Sequence, residues 1–178
     1  MKKIIIIGTT GSGKSTLAKK ISKKLGYPYI QLDQLFWKKN WGETPDAELF
    51  EKIQAEINQD TWVLDGNFTR TQHITWKEAD TVIWIDLPLW LTLYQSVTRT
   101  LSRAITMREL WPNTGNRESF LRMFSKDSII LWLFRTYKNN RVKYQEKISS
   151  PVYTHIKFHH LQSRKQIKKF IKDTLKEH

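Results

Sequence analysis

The sequence predicts a three-layer α/β fold, a parallel sheet with helices on both faces, and two observations carry that prediction. Short β-rich segments alternate with helical ones along the chain. The first of them, Ile4-Ile5-Ile6-Ile7, is an unbroken apolar run ending in a glycine-rich turn, the pattern of a strand buried on both faces. Strands separated by helices imply right-handed crossovers, which put the helices above and below a parallel sheet.

Residues 3 to 7 read as the first strand and 15 to 25 as the first helix. Residues 27 to 33, YPYIQLD, read as a second strand. Pro45 stands where a helix begins, and Leu49, Phe50, Ile53 and Ile57 give that helix an apolar stripe. TWVLDG, residues 61 to 66, and DTVIWIDLP, residues 80 to 88, are two more strands bounded by turn residues. From Leu89 a long helix carries Trp90, Tyr94, Val97, Leu101 and Ile105 on one side. A polar interruption, MRELWPNTGNRES, separates it from another long helix reaching about residue 146. Residues 152 to 161 read as the last strand. Ser163 and Gln166 form a capping box for a final helix with the stripe Ile167, Phe170, Ile171 and Leu175.

Trp62, Trp84, Trp90 and Trp132 fall in these stripes and are expected in the core. Trp37, Trp41 and Trp111 fall outside them, among basic residues, and are expected to anchor a hinge. His159 and His160 are neighbours in a strand, so their side chains face opposite ways and cannot share a metal ion.

A chain of 178 residues suits one domain, residues 1–178, without repeat or linker. With no cysteine, disulfides, zinc–thiolate sites and a cysteine nucleophile are excluded, which fits a reducing compartment. No apolar run approaches the ~18 residues of a membrane span, and the apolar opening stops at Gly8, so a soluble cytoplasmic protein without membrane contact is expected. The net charge of +13 calls for an anionic partner, such as a nucleotide or a nucleic acid, although many lysines only solvate helix faces.

The glycine-rich turn is specific. Gly8-Thr9-Thr10-Gly11-Ser12-Gly13-Lys14-Ser15 matches G-x-x-x-x-G-K-[ST], the P-loop, between a buried strand and an amphipathic helix as that motif requires. Successive backbone N–H groups then point at phosphate oxygens, and the helix N-terminus adds partial positive charge. Lys14 reaches the β- and γ-phosphates, Ser15 offers its hydroxyl to Mg²⁺, and Thr16 sits near the α-phosphate. The expected ligands are a nucleoside triphosphate, ATP, and Mg²⁺. No guanine-reading N-K-x-D follows, which argues against a GTPase.

Together with LD after the second strand, WVLDGNFTR, ADTVIWIDLP and an arginine-bearing lid, this motif makes nearly the whole chain resemble the adenylate-kinase-like family of small-molecule kinases. Within it, LDQLFWKKNW and RELWPNTGNRES are most similar to a branch labelled DNA topology modulation protein. The resemblance implies the P-loop three-layer sandwich with five parallel strands in the order 2-3-1-4-5, an acceptor-side insertion at about 33–60, a lid at about 108–118, and a monomer or dimer. It also implies a site at the carboxyl ends of the strands. Asp65 and Asp86 both end an apolar strand and compete for Mg²⁺. The family arrangement, with the Asp65 strand beside the P-loop strand, favours Asp65, and Asp86 then reads as a strand-end cap. Asp65-Gly66-Asn67-Phe68-Thr69-Arg70 departs from the D-G-F-P-R of adenylate kinases. Gln31-Leu32-Asp33 departs from the Asp-x-Asp of shikimate kinases.

Asp33 is the candidate acceptor contact, a general base if the acceptor is an alcohol and unnecessary as a base if it is a phosphate. Phosphoryl transfer gathers negative charge that arginine forks neutralise. Arg99 and Arg103 share a helix face four residues apart, and Arg108 and Arg117 bracket the lid, in which Pro112 and Gly115 break the helix. Arg103, Arg108 and Arg117 are the expected phosphate clamps and Arg70 the acceptor-side contact. The expected activity is transfer of the γ-phosphate to a small acceptor. The alternative is an ATP-binding regulatory or DNA-binding protein acting on DNA topology.

Overall fold

The computed structural model describes residues 1–107, 109–117 and 129–174, with the side chains of residues 129 and 130 left aside. Five parallel strands, β1 (Lys3–Gly8), β2 (Tyr29–Gln31), β3 (Trp62–Asp65), β4 (Thr81–Ile85) and β5 (Lys157–Leu161), form one sheet in the order β2-β3-β1-β4-β5. The expected order is thus observed. β1 is central because its side chains serve two cores. Ile5 and Ile7 join Trp62, Trp76 and Trp84 on one face, and Ile4 and Ile6 join Leu17, Ile21 and Val63 on the other. Alternation sends successive residues to opposite faces, so four isoleucines in a row are needed to bury both.

Helix α1 (Lys14–Leu25) turns Leu17, Ala18 and Ile21 inward and stops at Gly26, whose φ of 69° closes a left-handed cap. The short α2 (Leu32–Phe36) follows β2 directly, so Asp33 lies in a helix's first turn. Helix α3 (Asp46–Ile57) begins after Pro45 and buries Leu49, Ile53 and Ile57 as predicted. Helix α4 (Gln72–Glu78) leads into β4. Helices α5 (Leu89–Thr106), α6 (Ile129–Ile148) and α7 (Arg164–Thr174) complete the helical layers among the described residues.

The sequence expectation for α5 is corrected. Trp90 is 70% exposed and Tyr94 and Ile105 are exposed too, whereas Thr92, Ser96, Thr100 and Ala104 face inward. The cause is close packing on the P-loop. A Cβ added at Gly11 would lie 2.7 Å from the Thr92 carbonyl oxygen and 2.9 Å from the Ser96 Cβ, so only small side chains fit on that face. Trp132 is likewise 59% exposed on α6, where Leu133, Tyr137 and Tyr144 take the inward positions. Trp62 and Trp84 are buried as expected.

The last strand is shorter than predicted, because Pro151–Tyr153 forms a 3-10 turn before β5. The Ser163 hydroxyl accepts from the Gln166 N–H at 3.1 Å, while the Gln166 side chain accepts from the Gln162 N–H, one residue earlier than the standard box. Leu175 and the lid residues Arg108 and 118 lie outside the described residues.

Candidate active site

The site is built at the carboxyl ends of β1, β2 and β3. β1 ends at Gly8, and the loop returns on itself with the Ser12 N–H donating to the Thr9 carbonyl at 3.1 Å before α1 starts at Lys14. Gly11 holds φ of 78°, which with the nearby α5 backbone leaves room for no side chain. Ser15 and the exposed Thr16 follow on the first turn of α1.

Lys14 Nζ donates to the Thr9 carbonyl at 3.2 Å. Burial pulls its pKa below the ordinary lysine value, and Asp65 and Asp33 oppose that pull. Asp33 is half-buried, and burial pushes its carboxyl above the ordinary range. Lys14, Arg99 and Arg103 act against that rise, while Asp65 adds to it. Five charged groups from four separate segments are therefore electrostatic neighbours.

Asp65 is placed by sheet register. It pairs with Ile6 of β1 and Gln31 of β2 and is 4% exposed. The Tyr29 hydroxyl donates to its Oδ2 at 3.1 Å, while its Oδ1 is buried with no protein partner. Asp86 differs. Its carboxylate is taken up by Arg141 Nε at 3.0 Å and His160 Nε2 at 2.9 Å, with His160 stacked on Trp84.

Arg99 and Arg103 project from α5 toward this centre. Arg99 Nη2 donates to Thr10 Oγ1 at 3.2 Å, tying the helix to the P-loop. With Lys19, Ser102, Thr106, Glu109 and Leu110 they line a cavity of about 440 Å³. Arg103 thus shares a cavity wall with Arg99. Arg99, recognised only as its helical neighbour, touches the loop itself.

The lid segment 109–117 folds back, with the backbones of Glu109 and Arg117 paired in an antiparallel β-bridge and the Arg117 side chain exposed. It is docked on residues 37–41. Asn116 Nδ2 donates to the Lys38 carbonyl at 2.9 Å, and its Oδ1 accepts from the Trp41 N–H at 2.9 Å. Trp111 stacks on Trp37 at 6.0 Å and meets Trp41 edge-on at 5.9 Å. The three tryptophans outside the core stripes thus pack on one another.

Arg70, the expected acceptor-side contact, is held by neighbours in α2 and at the start of α3. It pairs with Asp46 at 3.0 Å and lies over the Phe36 ring at 4.6 Å. Sequence reasoning missed Tyr29, Ser96 and Asn116. The spacing of Arg99 and Arg103 was a usable signal, but nothing local marks the other three.

The strand order, with the P-loop on the central strand and a lid after α5, decides the architecture. The chain has the fold of the P-loop kinases. Residues 4–91 match the model of a family described as AAA domain. The P-loop kinase fold extends beyond that match. A shikimate kinase from Acinetobacter baumannii, solved in complex with shikimate, superposes with a TM-score of 0.57 at 12% identity, covering 99% of this chain and 92% of that one. A gluconokinase from Sinorhizobium meliloti 1021 gives 0.54 at 14% identity, covering 98% and 90%. A shikimate kinase of Sulfurihydrogenibium sp. is 31% identical over 105 residues, 50% of this chain and 63% of that protein. A Pyrococcus abyssi protein, whose name assigns it provisionally to the adenylate kinases, is 36% identical over 73 residues, 37% of this chain and 41% of its own length. The chain thus spans less than two thirds of the length of either relative. Among the described residues no helix is long and apolar enough to cross a membrane.

Proposed function

We propose that the chain is an ATP- and Mg²⁺-dependent phosphotransferase that moves the γ-phosphate to a hydroxyl group of a small acceptor. One observation carries this reading: Asp33 sits half-buried within electrostatic reach of the P-loop lysine, Arg99 and Arg103. A carboxylate at that place can take the proton of an attacking hydroxyl. An acceptor that is already a phosphate needs no base, and two carboxylates, Asp33 and Asp65, oppose its approach.

In the step the acceptor oxygen forms a bond to the γ-phosphorus and the bond from that phosphorus to the β,γ-bridging oxygen breaks. The hydroxyl proton passes to Asp33, and ADP leaves. Lys14, Arg99 and Arg103 offset the charge that builds on the transferred group and on the bridging oxygen. Lid residue Arg117 is a further clamp candidate, and Arg70 serves the acceptor side. Arg108, proposed with them from the sequence, lies outside the described residues.

Among the described residues no three His, Cys, Asp or Glu side chains form a metal cluster, so a cation here depends on phosphate and water for most of its shell. The buried, unpartnered Oδ1 of Asp65 and the Ser15 hydroxyl fit that requirement and would hold Mg²⁺ on the nucleotide. Mg²⁺ supplies neutralisation of the β- and γ-phosphate charge.

Relatives named for shikimate and gluconate, both polyhydroxy acids, support a hydroxyl acceptor. Kinase relatives also favour the transferase over a regulatory or DNA-binding protein. The test is ADP release from MgATP with sugars, sugar acids, cyclic hydroxy acids, nucleosides and nucleoside monophosphates, run beside Lys14→Ala and Asp33→Asn. Turnover with a hydroxyl acceptor that both variants abolish is the expected result. Turnover with a nucleoside monophosphate that survives Asp33→Asn would overturn the base assignment.

A further inference from the structure

We infer that Tyr29 is a positioning residue for the metal side of the site: its phenol holds the Asp65 carboxylate so that Oδ1 stays turned to the nucleotide's metal ion. The inference rests on the reading of Asp65 as the metal-side carboxylate and adds a residue to it.

The sheet register brings the two side chains together. Tyr29 pairs with Val63 and Gln31 with Asp65, so Tyr29 and Asp65 share one face of adjacent parallel strands as diagonal neighbours. The phenol donates to Oδ2 at 3.1 Å and also interacts with the Ser15 side chain. One hydroxyl therefore holds Asp65 directly and interacts with Ser15, the two groups proposed to face the cation. Lys19 Nζ lies 5.7 Å from the centroid of the Tyr29 ring, covering its α1 side.

The geometry answers a specific difficulty. A buried carboxylate next to Lys14 is drawn to the ammonium, and a direct ion pair would occupy both groups that the nucleotide needs. Lys14 instead donates to the Thr9 carbonyl, and Asp65 is anchored at Oδ2 by an uncharged donor. Tyrosine suits the task because it donates without adding a competing positive charge. Groups that orient a metal-side carboxylate in this way typically change metal affinity by about 10–100-fold when removed.

The test is calorimetric binding of ADP with Mg²⁺ and with EDTA, reading the ratio of the two affinities for the wild type, Tyr29→Phe and Asp65→Asn. A general loosening of β2 weakens both affinities and cancels in the ratio. The expected result is that Asp65→Asn abolishes the Mg²⁺-dependent gain, and that Tyr29→Phe reduces it by about tenfold with ADP binding in EDTA unchanged. If Asp65→Asn abolishes the gain and Tyr29→Phe retains it in full, the role of Tyr29 is refuted while that of Asp65 stands. If Asp65→Asn retains the gain, the metal assignment falls and the Tyr29 inference falls with it.

Discussion

Replacing Gly11 by alanine tests how the P-loop is seated on α5. Two costs add at this position. A left-handed backbone costs a residue with a side chain about 1–2 kcal/mol, and Gly11 holds φ of 78°. The new Cβ would also lie 2.7 Å from the Thr92 carbonyl oxygen and 2.9 Å from the Ser96 Cβ, overlaps that force α5 outward. Overpacking of this kind costs about 1–3 kcal/mol, giving about 2–5 kcal/mol in all. Gly26 is the control, because φ there is 69° but nothing lies within 4 Å of an added Cβ. Gly26→Ala bears only the backbone cost, and both variants gain equally from the stiffer unfolded chain. Urea unfolding should therefore show Gly11→Ala less stable than Gly26→Ala by about 1–3 kcal/mol. Since α5 carries Arg99, which donates to Thr10, ADP affinity should fall about tenfold in Gly11→Ala and stay unchanged in Gly26→Ala. Equal stabilities and equal ADP affinities in the two variants would refute the seating argument.

Three further outcomes are expected. Because burial raises the Asp33 pKa, the folded state holds that proton more tightly than the unfolded chain; the stability this contributes is complete below the ordinary carboxylate value and lost as pH rises through the raised one. At neutral pH the Asn variant should thus melt no lower than the wild type while turnover drops about 10²–10⁴-fold, and a clear loss of melting temperature would contradict the reasoning. Asn116→Ala removes the hydrogen bonds to Lys38 and Trp41, so the lid should undock with a red shift of tryptophan emission and unchanged far-ultraviolet circular dichroism; an unshifted spectrum would count against the docking. Trp90→Gln should change stability by less than about 0.5 kcal/mol, since the side chain is mostly in solvent, whereas a loss of several would restore it to the core.

The P-loop was legible because its chemistry is local: eight consecutive residues between a buried strand and an amphipathic helix define both the phosphate cradle and the central strand. The alternation of strands and helices fixed the sandwich, and the lid announced itself through Pro112 and Gly115. The inward face of α5 was not legible. Hydrophobic periodicity selects the stripe through Trp90 and Tyr94, but contact with a glycine loop selects the small residues Thr92 and Ser96, and volume outweighs polarity where two backbones meet. What the sequence alone determined is where the P-loop sits in the sheet and which layers surround it, since both follow from short-range pattern. Only the tertiary structure decided which side chains complete the site. Tyr29 meets Asp65, and Asn116 meets Lys38 and Trp41, across 36 and more residues of chain, through sheet register and lid docking that no single segment encodes.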